Sequence, residues 1–190
     1  SVAFHPSGKF ILMGTENALV KLYDIASGKF FYPRGMAPQQ PALAGDVPTA
    51  GAIPGTEPNC GGTAVERHGD MVSHVACSFD GRTFFSCSRD GSIKMWDGVS
   101  GRCVMTLPGA HRGLEVSSVH YSKDSIRILS SGKDGTARIW DLAMPGQVRL
   151  FAPPQQQDVK STKFRVYSCF SCNEDYVIAT NERDCSAVLW

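Results

Sequence analysis

The stretch Ser88-Arg89-Asp90-Gly91-Ser92-Ile93-Lys94-Met95-Trp96-Asp97 returns 44 residues later as Gly132-Lys133-Asp134-Gly135-Thr136-Ala137-Arg138-Ile139-Trp140-Asp141. Fainter copies run to Tyr23-Asp24 and to Trp190, so the anchoring aromatics stand 73, 44 and 50 residues apart. A period in the mid-forties closed by Trp-Asp specifies a four-stranded blade of a β-propeller. The repeat therefore predicts an all-β chain before any single element is assigned.

Each copy reads as short strands between tight turns. In the third copy, strands are expected at Ser117 to Tyr121, Ile126 to Ser131 and Thr136 to Trp140, with polar Lys-Asp and Lys-Asp-Gly turns between them. β-branched and apolar runs of about five residues, cornered by Gly and Asp, suit strands and hairpin turns. No run has helical periodicity.

A polar set recurs at near-constant spacing: His68, Ser86, Asp90 and Trp96 in the second copy, and His111, Ser130, Asp134 and Trp140 in the third. The Ser-to-Asp and Asp-to-Trp intervals are 4 and 6 residues in both. An imidazole, a hydroxyl, a carboxylate and an indole N–H can link donor to acceptor, so all four can be buried as one satisfied network. The Ser, His and Asp content also suggests a nucleophilic triad. A trio repeated in each blade beside a Trp fits a structural role better, because catalysis needs one pre-organised site. In the first copy the equivalent positions hold Met13, Asn17 and Tyr23; in the fourth, Thr180, Asp184 and Trp190, with no His ahead of them.

At about 45 residues per blade, 190 residues hold about four consecutive blades, the terminal ones incomplete, ending near 23, 96, 140 and 190. The ring is expected to close with about seven, so the chain is expected to be part of a longer one. The surplus in the first interval falls in Pro33 to Ala64, which holds six of the eleven prolines, six glycines and three charged residues. That composition predicts a flexible inter-blade insertion, with a segment that orders on a partner as the alternative. Seven cysteines, an odd number mostly in predicted strands, suit a reducing compartment, and Cys169-Phe170-Ser171-Cys172 has no second pair beside it. A formal net charge of +1 gives no global field for nucleic acid or membrane, and no apolar run reaches about 18 residues. No metal set, phosphate loop or cofactor motif is present, so no enzyme activity, cofactor or metal is expected.

Phe4-His5-Pro6-Ser7-Gly8, Leu22-Tyr23-Asp24-Ile25, Trp96-Asp97-Gly98-Val99-Ser100, Arg102-Cys103, Ala110-His111, Glu115-Val116 and Ile128 to Asp134 together resemble the WD40-type WD-repeat subunits of cleavage stimulation factor, a part of the nuclear pre-mRNA 3′-end processing machinery. The resemblance is strongest in the second and third copies. It implies a non-enzymatic scaffold on a seven-bladed propeller that docks the helical-repeat subunit of the same factor. It also implies an indirect role in recognising G/U-rich RNA, contact with RNA polymerase II, and dimerisation through an N-terminal segment that this sequence lacks.

A WD40 adaptor of another complex is the competing reading, for example a substrate receptor of a ubiquitin ligase. Many such receptors carry Arg two residues beyond Trp-Asp, where this chain has Val99 and Ala143. Two surface candidates remain. Arg89, Lys133 and Arg183 precede the inner-turn Asp of three blades and are expected to share one mouth of the channel, as a rim for an acidic or phosphorylated peptide. Lys160, Lys163 and Arg165, beside Phe164 and Tyr167, are an RNA-contact candidate, with solvated loop charge as the plainer account.

Overall fold

The computed structural model describes residues 1–33, 67–144, 146–152, 162–181 and 185–190. The insertion expected at 33–64 lies outside them apart from Pro33, as do Lys160 and Arg183. Among the described residues there is no helix.

The first sheet comprises β1 (Val2–Phe4), β2 (Phe10–Gly14), β3 (Val20–Asp24) and β4 (Lys29–Phe31). The second comprises β5 (Val72–Cys77), β6 (Thr83–Ser88), β7 (Ile93–Asp97) and β8 (Cys103–Leu107), and the third β9 (Val116–Tyr121), β10 (Arg127–Gly132), β11 (Ala137–Asp141) and β12 (Gly146–Phe151). β13 (Ser168–Phe170), β14 (Val177–Asn181) and β15 (Ser186–Leu189) make the fourth. Each sheet is an antiparallel meander with strands in sequence order. Tyr23, Trp96 and Trp140 lie in the third strand of their sheets, and a fourth strand follows each.

A single hairpin cannot bury both of its faces, so these sheets stack and the core lies between them. Leu12, Val20, Val72, Val75, Phe84 and Trp96 join the first sheet to the second. Phe85, Ile93, Val119, Ile128 and Trp140 join the second to the third, and Leu129, Ala137, Val177 and Ala179 the third to the fourth. Burial falls from the centre outward: Val116 to Val119 are all buried, whereas Gln147 to Leu150 of β12 are all exposed. The inner strands, covered on both faces, therefore read as nearly continuous apolar and small residues rather than alternating ones. At Gly14 a Cβ would lie 2.6 Å from Val72 Cγ1, so glycine permits the close approach of the first two sheets.

Successive hairpins place their turns at two opposite ends of the stack. At one end, backbone bonds from Val72 to Thr15, Arg89 to Met71 and Lys133 to Glu115 tie neighbouring turns together. At the other end, Ile25 N–H donates to Lys9, Gly98 N–H to Arg82 and Leu142 N–H to Ile126, the same link in three blades.

The fourth sheet corrects one expectation. Trp190 pairs with Val177 through two backbone bonds, and Ala179 lies opposite Val188. Counted from the Trp, Ala179 thus occupies the place of Ser86 and Ser130, and Thr180, one residue on, is exposed. The β14–β15 hairpin is one residue longer than its counterparts, which shifts the register by one and turns Thr180 to the opposite face.

Candidate functional site

The polar set of the third blade is assembled around His111. Trp140 Nε1–H donates to Ser130 Oγ at 2.8 Å, Ser130 lies 2.8 Å from His111 Nε2, and His111 Nδ1 lies 2.8 Å from Asp134 Oδ1. The indole can only donate and the carboxylate only accept, so Ser130 O–H donates to Nε2 and the neutral imidazole carries its proton on Nδ1. Burial lowers the His111 pKa against the opposing pull of Asp134, which keeps the ring uncharged. Burial pushes the Asp134 carboxyl up, but His111 and Thr136 outweigh it and hold the group down at about 2. Arg138 closes the network with a 2.6 Å bond to Asp134 Oδ2.

In the second blade Trp96 Nε1–H donates to Ser86 Oγ at 2.8 Å, and Ser86 lies 2.7 Å from His68 Nε2. His68 Nδ1 is 3.0 Å from Ser92 Oγ and only 3.4 Å from Asp90 Oδ2. Asp90 instead accepts from Gly69 N–H at 2.6 Å and from the Ser92 hydroxyl at 2.6 Å. Burial again raises its pKa, and the bonds from His68 and Ser92 pull it well below the ordinary range. The structure thus brings all eight expected residues together in two sets of four, and adds Ser92 and Thr136 to them. These hydroxyls are legible in hindsight as Asp90-Gly91-Ser92 and Asp134-Gly135-Thr136, where a carboxylate accepts from a residue two positions on. Ser86 and Ser130 have no exposed surface, so no substrate carbonyl can approach either hydroxyl.

At the end that holds the Arg89 and Lys133 turns, the cations differ. Arg89 is 59 % exposed and stands 3.8 Å from the half-exposed Asp70. Lys133 lies 3.1 Å from Glu115 Oε2, and Arg165 reaches Glu115 Oε1 at 2.7 Å. Glu115 is buried and also accepts from Ser73 Oγ at 3.2 Å. Burial raises the Glu115 pKa, but Lys133 and Arg165 more than offset it. The guanidinium of Arg165, read from sequence as an RNA contact or a solvated loop charge, joins Glu115 across the blades and lies 3.8 Å from Met71 Sδ. Lys163 sits over the exposed Phe164 ring, 5.4 Å from its centroid. Sequence reasoning missed Glu115 as the centre of this cluster, since a single acid before a strand carries no periodic signal.

The family described as WD domain, G-beta repeat matches residues 1–24, 59–97 and 101–141, more than half of the sequence. Cleavage stimulation factor subunit 50 of Arabidopsis thaliana is 33% identical over 133 residues, 70% of this chain and 25% of that protein. Nuclear distribution protein PAC1 of Arthroderma otae is 31% identical over 76% of this chain and 36% of its own length. WD repeat-containing protein 1 of Bos taurus is 37% identical over 46% of this chain and 14% of its own. The chain spans about a quarter of the first relative and little more than a third of the second. With the repeated Trp-Ser-His-Asp networks, the four meander sheets and the family match together, this chain belongs to the WD40 repeat family.

Proposed function

We propose that the chain is a non-catalytic scaffold of the nuclear pre-mRNA cleavage and polyadenylation machinery, docking the helical-repeat subunit of cleavage stimulation factor. One observation carries this reading: the 33% identity to cleavage stimulation factor subunit 50 extends over 70% of the chain, beyond any single blade. Rigid stacked sheets that display turn side chains without using them in the core suit such a role. Contact with RNA is indirect in this reading, and RNA polymerase II is a further partner. The eight tetrad residues are structural, stapling the two central blades. Arg89 and Lys133, with Arg183, form a rim for an acidic or phosphorylated peptide, and Arg89 is its most open member because Glu115 holds Lys133. Residues 1–190 form part of a propeller, with 33–64 as an insertion between blades.

Affinity capture of the tagged chain from nuclear extract, with partners identified by mass spectrometry, tests the assignment. Recovery of the helical-repeat subunit of cleavage stimulation factor is the expected result. Recovery of ubiquitin-ligase adaptor subunits in its place would overturn it.

A further inference from the structure

The contact between the first two sheets is less complete than that between the second and third. Leu22 pairs with Phe31 in the first sheet and Met95 with Met105 in the second, so the two pairs hold equivalent places. Phe84 and Ile128 are equivalent too, each lying opposite the Trp of its own sheet. Gly98 and Leu142 both follow Trp-Asp, and both donate the backbone N–H to the residue just ahead of the second strand, Arg82 and Ile126. Met95, Met105 and Leu142 accordingly pack with Ile128 in the core between the second and third sheets. Between the first two, the matching set is Leu22, Phe31, Phe84 and Gly98, which lacks the fourth side chain. There, Phe10, Leu22, Phe31, Tyr32, Phe84 and Gly98 line a cavity of about 340 Å³ that opens to solvent beside Val99.

The turn itself demands the glycine. Gly98 N–H donates to Arg82 O at 2.7 Å, and a Cβ on residue 98 would lie 3.0 Å from that oxygen and 3.1 Å from Gly81 O. The walls are preformed: Trp96 stacks against Phe84 with ring centroids 6.1 Å apart, and its indole N–H is held by Ser86. None of the described lining residues carries a charge, and the Ser100 hydroxyl among them already accepts from Arg102 N–H. A charged group placed there would shed its hydration with nothing to replace it, whereas an aromatic ring gains contacts with Phe10, Phe31, Tyr32 and Phe84. An apolar cavity of about 150 Å³ takes benzene, so this larger one has room for two fused rings.

We propose that this cavity binds a small, uncharged aromatic molecule of one or two fused rings, held among the side chains of Phe10, Phe31, Tyr32 and Phe84. Its volume and apolar lining are those of a small-molecule site, and the neighbouring contact between sheets has no such space because Leu142 fills it. The site does not depend on which complex the chain serves.

The test titrates the full chain into 5-fluoroindole and follows the ligand by fluorine NMR. A probe of this size should bind with a Kd of about 0.1–1 mM, and its carboxylated analogue 5-fluoroindole-2-carboxylate at least roughly tenfold more weakly. Gly98→Leu, which supplies the side chain that Leu142 has, should weaken 5-fluoroindole roughly tenfold. Because a Cβ there crowds Arg82 O, Leu22→Trp fills the cavity from the opposite wall as a second variant, with the same expected loss. Arg89→Glu, at the other end of the stack, should leave binding unchanged. Circular dichroism verifies that each variant keeps the fold. No binding at millimolar 5-fluoroindole, equal binding of the carboxylated analogue, or undiminished binding to both filled variants would overturn the proposal. So would roughly tenfold tighter binding once residues 35–65 are deleted, which would give the cavity to that segment of the chain.

Discussion

In the second blade the Asp90 side chain keeps 21 % of its surface in solvent, while its counterpart Asp134 in the third keeps none. The same spacing of His, Ser, Asp and Trp has produced two networks of different depth. His111 and Asp134 meet at 2.8 Å, whereas His68 and Asp90 stand 3.4 Å apart. The difference starts four residues beyond the Asp. Arg138 has a fork that reaches back to Asp134, while Lys94 sends its single ammonium to Thr106 Oγ1 at 3.4 Å. A repeat thus fixes which groups meet, and the residues beside it fix how firmly.

Breaking the deeper network should therefore do the most damage. Asp134→Ala would leave the His111 Nδ1–H and the Thr136 hydroxyl without their shared acceptor and Arg138 without a carboxylate, at about 3 kcal/mol. Asp90→Ala, which leaves His68 its bond to Ser92 and the Gly69 N–H open to water, should lose about 1 kcal/mol. Urea denaturation of the two variants measures both, and equal losses would mean that burial does not separate the blades.

Acid should act next, through the contact between these same two sheets. His74 on β5 and His120 on β9 face each other with ring centroids 5.1 Å apart. Burial, then the neighbouring His120, hold the His74 pKa at about 4, well below its ordinary 6.5. A histidine held down in the folded state stabilises it fully above pH 6.5, and that contribution is lost as pH falls from 6.5 towards 4. The expected loss is on the order of 3 kcal/mol over that interval. The lowered Asp134 pKa adds a further decline only below about pH 4. Stability measured from pH 7 to 4 should fall in wild type and fall less steeply in His74→Gln, where His111 and His120, also held down by burial, still contribute; an unchanged slope in the variant would remove His74 as a source.

The central blades were legible because their signals are redundant: period, turn chemistry and a polar set agree at Trp96 and at Trp140. The fourth blade lost that agreement. Thr180, Asp184 and Trp190 keep the spacing of the tetrad, but one extra residue in the hairpin places Ala179 where the serine belongs. Counting along the chain cannot detect an insertion that spacing conceals. The Glu115 cluster was illegible for another reason. Ser73, Glu115, Lys133 and Arg165 come from two blades and the loop before the fourth, and only the stacking of the sheets brings them together.

The smallest expected effect sharpens the comparison on the outer surface of the same two blades. Arg89 and Lys133 hold equivalent turn positions and were read from sequence as equivalent cations. Arg89 stands 3.8 Å from Asp70 with both side chains about half in water, and such a pair gains little over its hydrated partners. Lys133 meets a buried carboxylate that Arg165 shares, so removing it leaves Glu115 with one cation in place of two. Lys133→Ala should therefore lose about 1 kcal/mol, and Arg89→Ala less than about 0.5 kcal/mol. Salt separates the two further. At about 1 M ionic strength the Debye length falls to about 3 Å, which screens the exposed pair and leaves the buried one largely intact. The Lys133→Ala loss should persist in high salt while any Arg89→Ala loss vanishes; matching losses that both vanish would place Glu115 in effective contact with solvent and make the two blades alike at this end.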